Sequence, residues 1–227
     1  DETAILRMLK SIREKGGNVL ITVDEVTNNE YVRKFAAVYQ ILIREEMPLF
    51  LIMTGLYENI YDLQNEKSLT FLYRAPKIQL RPLNFPAMAE TYENTLGVEH
   101  KTAVEMAKLT KGYAFAFQVL GYFTYKEENR DYRKVIAKCR LYLDEFVYEK
   151  LWSELSAKDR SIITCMAQTG AETVSEIRAK TGMESNEFSK YRLRLIRKGL
   201  VDGSERGRLA FTLPLFREFV LNQLEYL

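Results

Sequence analysis

Histidine is almost missing from this sequence: His100 is the single one among 227 residues. Imidazole general-base chemistry and histidine metal sites therefore have almost no material. A solvated helix edge is the ordinary place for such a residue. Cysteine is nearly as scarce. Cys139 and Cys165 lie far apart with no C-x-x-C spacing, which suits a reducing compartment and supplies no zinc site. No stretch approaches the roughly 20 apolar residues of a membrane span and no signal peptide is present, so a cytoplasmic protein without a membrane partner is expected. An excess of one charge is lacking too. The formal balance is +2, too small for a global field that would draw nucleic acid or membrane. What remains is ample for cores: 47% of residues are hydrophobic and 12% aromatic, enough for one large domain or two to three small ones.

Residues 2–15 put Ile5, Leu6, Leu9 and Ile12 on one face and stop at Gly16-Gly17, which predicts an amphipathic helix with a glycine cap. The run Val19–Val23 is β-branched and too short for a helix, so it reads as a buried strand. A second helix is predicted over 30–46, with Phe35, Val38, Ile41 and Leu42 as its stripe and Pro48 as its end. "LFLIMTG" (49–55) is a second apolar strand. Neither strand alternates, which predicts a parallel sheet covered on both faces. "KIQL" (77–80), between Pro76 and Pro82, reads as a short third strand. Residues 87–150 show helical periodicity alone, with "AFAFQVLGYF" as the central helix of a small bundle. Near Ser156, which reads as an N-cap, a third unit opens. Two of its helices end at Gly182 and Gly199, and "LVDGSERGRLAFTL" reads as two strands around a polar tip. Three helices followed by a hairpin is the winged helix-turn-helix order. The expected domains are 1–85, 86–150 and 151–227.

"NVLITVDEV" (18–26) ends abruptly in Asp24 and Glu25. A parallel strand ending in two carboxylates aims them into the crevice beyond its carboxyl end, where open α/β sheets bind ligands. Phosphoryl transfer uses such a pair: one carboxylate holds magnesium, a hard cation, and the other orients the attacking water. A solvated acidic turn at a strand end would use the same two residues.

The order of these segments resembles the AAA+/STAND-type ATPases, the archaeal and bacterial ATP-binding proteins similar to replication initiators. "NVLITVDEV" resembles their Walker B strand and "LFLIMTGLYENI" their sensor strand. "KIQLRPLNFPAMAE" looks like the entry to the helical lid, "KGYAFAFQVLGYF" like the lid's glycine-containing helix, and "LIRKGLVDGSERGRLAFTLPLFREFV" like the winged-helix end. The resemblance implies an α/β remnant of a P-loop ATPase core, then an all-α lid, then a winged helix-turn-helix. It implies ATP and Mg as cofactors, with Asp24 binding Mg through water and Glu25 polarising the attacking water. Thr54 would sense the γ-phosphate, and Arg74 would act in trans if the protein self-associates through its ATPase core. Two departures stand out. The phosphate loop G-x-x-x-x-G-K-[ST] occurs nowhere in the 227 residues, and Ala114 follows Gly112-Tyr113 where the family commonly has Pro. The expectation is a C-terminal fragment that does not bind ATP well by itself.

Over residues 156–227, twelve Lys/Arg oppose nine Asp/Glu, and the bases cluster on the presumed recognition helix and wing. At about 100° per residue, Phe188, Tyr191 and Leu195 face inward, while Lys190, Arg194 and Arg197 point away, with Arg206 and Arg208 on the wing. Phosphate contacts from these five residues would hold duplex DNA. Leu193 also falls on the outward side, which favours a helix that packs on another domain. The expected function is ATP hydrolysis coupled to a DNA-binding winged helix. The alternative is a non-enzymatic signalling or transcription-regulator-like adaptor whose winged helix is a clamp.

Overall fold

In the computed structural model, which describes residues 2–225, the chain divides into two units, Asp1–Gln79 and Leu80–Leu227.

The first unit runs α1 (Glu2–Glu14), β1 (Val19–Val23), α2 (Glu30–Arg44), β2 (Leu49–Met53), α3 (Tyr57–Gln64) and a 3-10 segment (Lys67–Arg74). Strands β1 and β2 pair in parallel, with Val19 opposite Leu49 and Val23 opposite Met53. The connection between them is α2, capped by Asn29, whose side chain accepts a hydrogen bond from the Val32 N–H. Val19, Ile21, Val23, Leu49 and Met53 pack against helical residues that include Leu9, Ala36, Leu42, Leu63 and Leu72. The opposite face is open: Leu20, Phe50 and Ile52 are each more than half exposed. The sheet is thus covered on one face, where its unbroken apolar pattern predicted two. Residues 77–80 form no strand, and Ile78 and Leu80 are about nine-tenths exposed. Pro76 and Pro82 bring no N–H to a ladder, and among the described residues no sheet edge pairs with this segment.

The second unit opens with α4 (Phe85–Leu96), α5 (His100–Leu109), α6 (Ala114–Lys126) and α7 (Tyr132–Leu143), and a π turn (Asp144–Tyr148) then joins α7 to α8 (Glu149–Ser153). Met88, Tyr92, Met106, Leu120, Phe123 and Cys139 form its first core. Gly112 has a positive φ of 77°, and a Cβ there would lie 2.7 Å from Pro82 Cβ. Glycine alone lets residues 82–83 cross so closely, and the contact is fixed by the Leu83 N–H donating to the Gly112 carbonyl at 2.8 Å. Then follow α9 (Ala157–Thr169), α10 (Val174–Thr181), α11 (Ser185–Arg197), β3 (Val201–Asp202), β4 (Ala210–Phe211) and α12 (Phe216–Glu225). Strands β3 and β4 are antiparallel, and an isolated Thr173–Arg208 bridge adds a rung from the α9–α10 loop. Ser156 and Asp159 make a reciprocal capping box on α9. The second core contains Ile162, Ile177, Phe188, Leu195, Phe216 and Phe219.

Tyr148 joins this core to the helix before it. It is fully buried, donates its hydroxyl to the Pro214 carbonyl and meets the Phe216 ring edge-on at 5.1 Å. The π turn puts it there by spacing the inward residues Leu143 and Tyr148 five apart. One consequence falls on Asp144, whose Oδ1 is buried without a hydrogen-bond partner. Burial pushes its carboxyl up to about 6, opposed by Arg140 and assisted by Glu149 and Glu218. The folded state therefore holds this proton after the unfolded chain has released it. Stability falls as pH rises from about 4 to about 6 and stays lower above that range. Asp144→Asn should add about 1–2 kcal/mol at pH 7, after a discount for partial exposure, and almost nothing below pH 4. Urea unfolding at the two pH values measures this.

Candidate functional site

The two parallel strands do not stop at their last strand residues. The Thr54 N–H donates to the Val23 carbonyl and the Val26 N–H to the Thr54 carbonyl, each at 2.9 Å, so the ladder continues around Asp24 and Glu25 and leaves both exposed. Glu25 has φ 52°, a left-handed conformation that costs a non-glycine residue roughly 1 kcal/mol. Gly55 packs tightly beside it: a Cβ there would approach the Val26 carbonyl oxygen to 3.1 Å. Arg33 steadies the following loop, its Nη1 donating to the Asn28 carbonyl at 3.1 Å and to Asn28 Oδ1 at 3.0 Å.

Within this frame Asp24 Oδ1 accepts two hydrogen bonds, from the Thr54 hydroxyl and from the Glu25 N–H at 2.9 Å. These bonds, the Thr54 hydroxyl first, hold the Asp24 carboxyl below the usual carboxylate range. Asp24 is thus a fixed anion, with Glu25 exposed beside it. The structure brings Asp24, Glu25 and Thr54 together. Arg74, exposed in the last turn of the 3-10 segment, makes no hydrogen bond or ion pair with them among the described residues.

One carboxylate and one hydroxyl are hard oxygen donors, suited to a magnesium ion that keeps most of its waters. Among the described residues no group of three His, Cys, Asp or Glu forms a dedicated metal cage. No phosphate loop exists in the chain to cradle a triphosphate. The residues present therefore fit the metal and water side of a nucleotide site, and they do not fit its phosphate side.

The basic residues of α11 and of the segment between β3 and β4 differ from their helical-wheel reading. Arg194 does not project outward. Its Nε donates to Asp159 Oδ1 at 3.0 Å and its Nη2 to Ser156 Oγ at 2.6 Å, and it is ion-paired with Asp159 Oδ2. The guanidinium also lies 4.8 Å from the Tyr191 ring centroid. The reason is Asp159, only 1% exposed, which requires a cation. Arg208 is likewise paired, with Glu172 and, at 3.7 Å, with Glu205. Among the described residues Lys190 and Arg206 are exposed without an ion pair, and Arg197 is exposed at the end of α11.

Among the described residues no helix is long and apolar enough to cross a membrane. A family model described as a domain of unknown function (DUF8462) matches residues 145–220, from the π turn into α12. No curated protein matches the chain.

Proposed function

We propose that Asp24, Glu25 and Thr54 form the metal- and water-facing edge of an ATP-hydrolysing core of the AAA+/STAND type. The observation that carries this reading is the Asp24–Thr54 hydrogen bond between the ends of adjacent parallel strands. It sets an anion and a hydroxyl side by side at the mouth of the sheet, with a second, exposed carboxylate next to them. The open face of the sheet supports it too. Parallel strands normally bury both faces, so Leu20, Phe50 and Ile52 call for more of an α/β core, and that part would bring the phosphate loop. In this reading Asp24 holds Mg through water, Glu25 polarises the attacking water, and Arg74 serves a neighbouring copy. Two free, buried cysteines agree with a cytoplasmic setting. Steady-state ATP turnover by the natural polypeptide, with and without the acidic pair, is the test. Turnover unchanged in Asp24→Asn and Glu25→Gln would return the pair to an ordinary strand-end turn.

The second unit would then carry the lid and a winged helix that binds duplex DNA. Its order of helices, the Thr173–Arg208 rung and the hairpin favour that topology, and Lys190 and Arg206 are exposed cations that phosphates would meet. Affinity should fall linearly with log salt, and Lys190→Ala with Arg206→Ala should flatten the slope by about two units. Fluorescence anisotropy of the whole chain at several salt concentrations reads this slope. Leu193, 47% exposed on the same face, favours the clamp reading instead, and no DNA binding at about 50 mM salt would decide for it.

A further inference from the structure

Residues 132–153 form one continuous helix through α7, the π turn and α8. One face belongs to the cores. The other exposes Lys138, Leu141, Tyr142, Glu145, Phe146 and Glu149, at the three- and four-residue steps by which a second helix is held. Leu141 is 62% exposed and Phe146 54%, too much apolar surface on adjoining turns for a face that meets only water. Tyr142 is held by packing rather than left to wave: its ring lies 4.5 Å from Phe146 and 5.4 Å from Phe123. Lys138 lies over the Phe123 ring at 4.4 Å. Rigid aromatic anchors of this kind lose little entropy on docking.

Charge identifies the occupant. The stripe begins in Lys138 and ends in Glu145 and Glu149, and none of the three has an ion pair among the described residues. A partner helix must carry the opposite gradient, and the same stripe turned end for end does so. About a two-fold axis between residues 143 and 144, Lys138 faces Glu149 of the other copy, Leu141 faces Phe146, and Tyr142 faces Glu145. Both ends of the stripe are then neutralised and the apolar pair lies between them. A parallel arrangement would instead oppose lysine to lysine and glutamate to glutamate. We infer that this helix is an isologous, antiparallel dimer interface for a second copy of the chain. Its residues belong to the second unit, whereas the acidic pair and the open sheet face belong to the first.

Lys138 and Glu149 are separated by only about 16 Å of helix, so the contact is at the small end of specific interfaces. Sedimentation velocity of the whole chain from about 5 to 500 μM should show the average mass rising from monomer towards dimer. Lys138→Glu alone and Glu149→Lys alone should each weaken association at least about tenfold, and the double exchange should restore it to within about threefold. Leu141→Asp should abolish it with the melting temperature unchanged, since that side chain packs on little in the monomer. A wild type that stays monomeric over this range overturns the inference, leaving a helix of another protein as occupant. A double exchange that fails to restore association overturns the antiparallel pairing. Association that survives Leu141→Asp but is lost in Phe50→Lys overturns it in favour of the open sheet face.

Discussion

Arg194→Ala should destabilise the second unit by about 3–5 kcal/mol, the cost of leaving a buried charge without its partner. Asp159 is 1% exposed and its two oxygens receive the Arg194 guanidinium. The same carboxylate accepts the Ser156 N–H at 3.1 Å, so it fixes the first turn of α9 while the arginine fixes α11 against it. Removing the cation leaves a buried anion with only the Ser156 N–H and hydroxyl as donors. Lysine is no substitute, because a point charge cannot reproduce a planar fork that bonds Asp159 and Ser156 together. Urea unfolding, read by the circular dichroism of the helices, measures the loss. In a double-mutant cycle with Asp159→Ala the two losses should be far from additive, with a coupling of about 2 kcal/mol or more. A loss under about 1 kcal/mol would mean that the pair is merely a surface contact. On a DNA-binding face Arg194→Ala would instead spare stability and flatten the salt slope by about one unit.

Arg194 also shows where reading the sequence stops. Elements were legible because their signals are local. The stripe of α1, the short β-branched run of β1, the Ser156 cap and the glycine stops at Gly182 and Gly199 each depend on neighbours a few residues away, and the structure has helices or strands at these places. The meeting of Asp24 and Thr54 was accessible too, because two apolar strands joined by one helix must pair in parallel and end at the same level. Direction on a helical wheel, in contrast, fixes where Cβ points and not where a long side chain goes. Arg194 leaves its helix on the outward side and folds back towards a carboxylate 35 residues earlier. "KIQL" failed for the complementary reason: a strand needs an edge to pair with, and apolar residues between two prolines did not supply one. The bare face of the sheet was hidden because an apolar run records what a strand is suited to bury and says nothing of what covers it.

On the proposed ATPase reading, Glu25→Gln is expected to leave nucleotide binding intact and to slow hydrolysis at least about a hundredfold wherever a phosphate loop completes the site, the usual worth of a positioned base. The exchange keeps the shape of the side chain and the left-handed backbone at φ 52°, and removes only the capacity to take up a proton. Glu25 uses its N–H, and not its carboxylate, to hold Asp24, so the geometry of Asp24 and Thr54 survives. Asp24→Asn acts differently. Its Oδ1 can still accept from Thr54 and from the Glu25 N–H, but the fixed negative charge is gone, so magnesium-dependent binding should weaken together with turnover. The two variants thus separate the water from the metal: one loses rate at constant affinity, the other loses both. The 227-residue chain alone should give no micromolar heat with Mg-ATP in calorimetry, because two carboxylates without a cradle of N–H groups repel a triphosphate. Micromolar binding by that chain would sink the idea that the phosphate side of the site lies elsewhere, and full turnover in Glu25→Gln would remove the acidic pair from the chemistry.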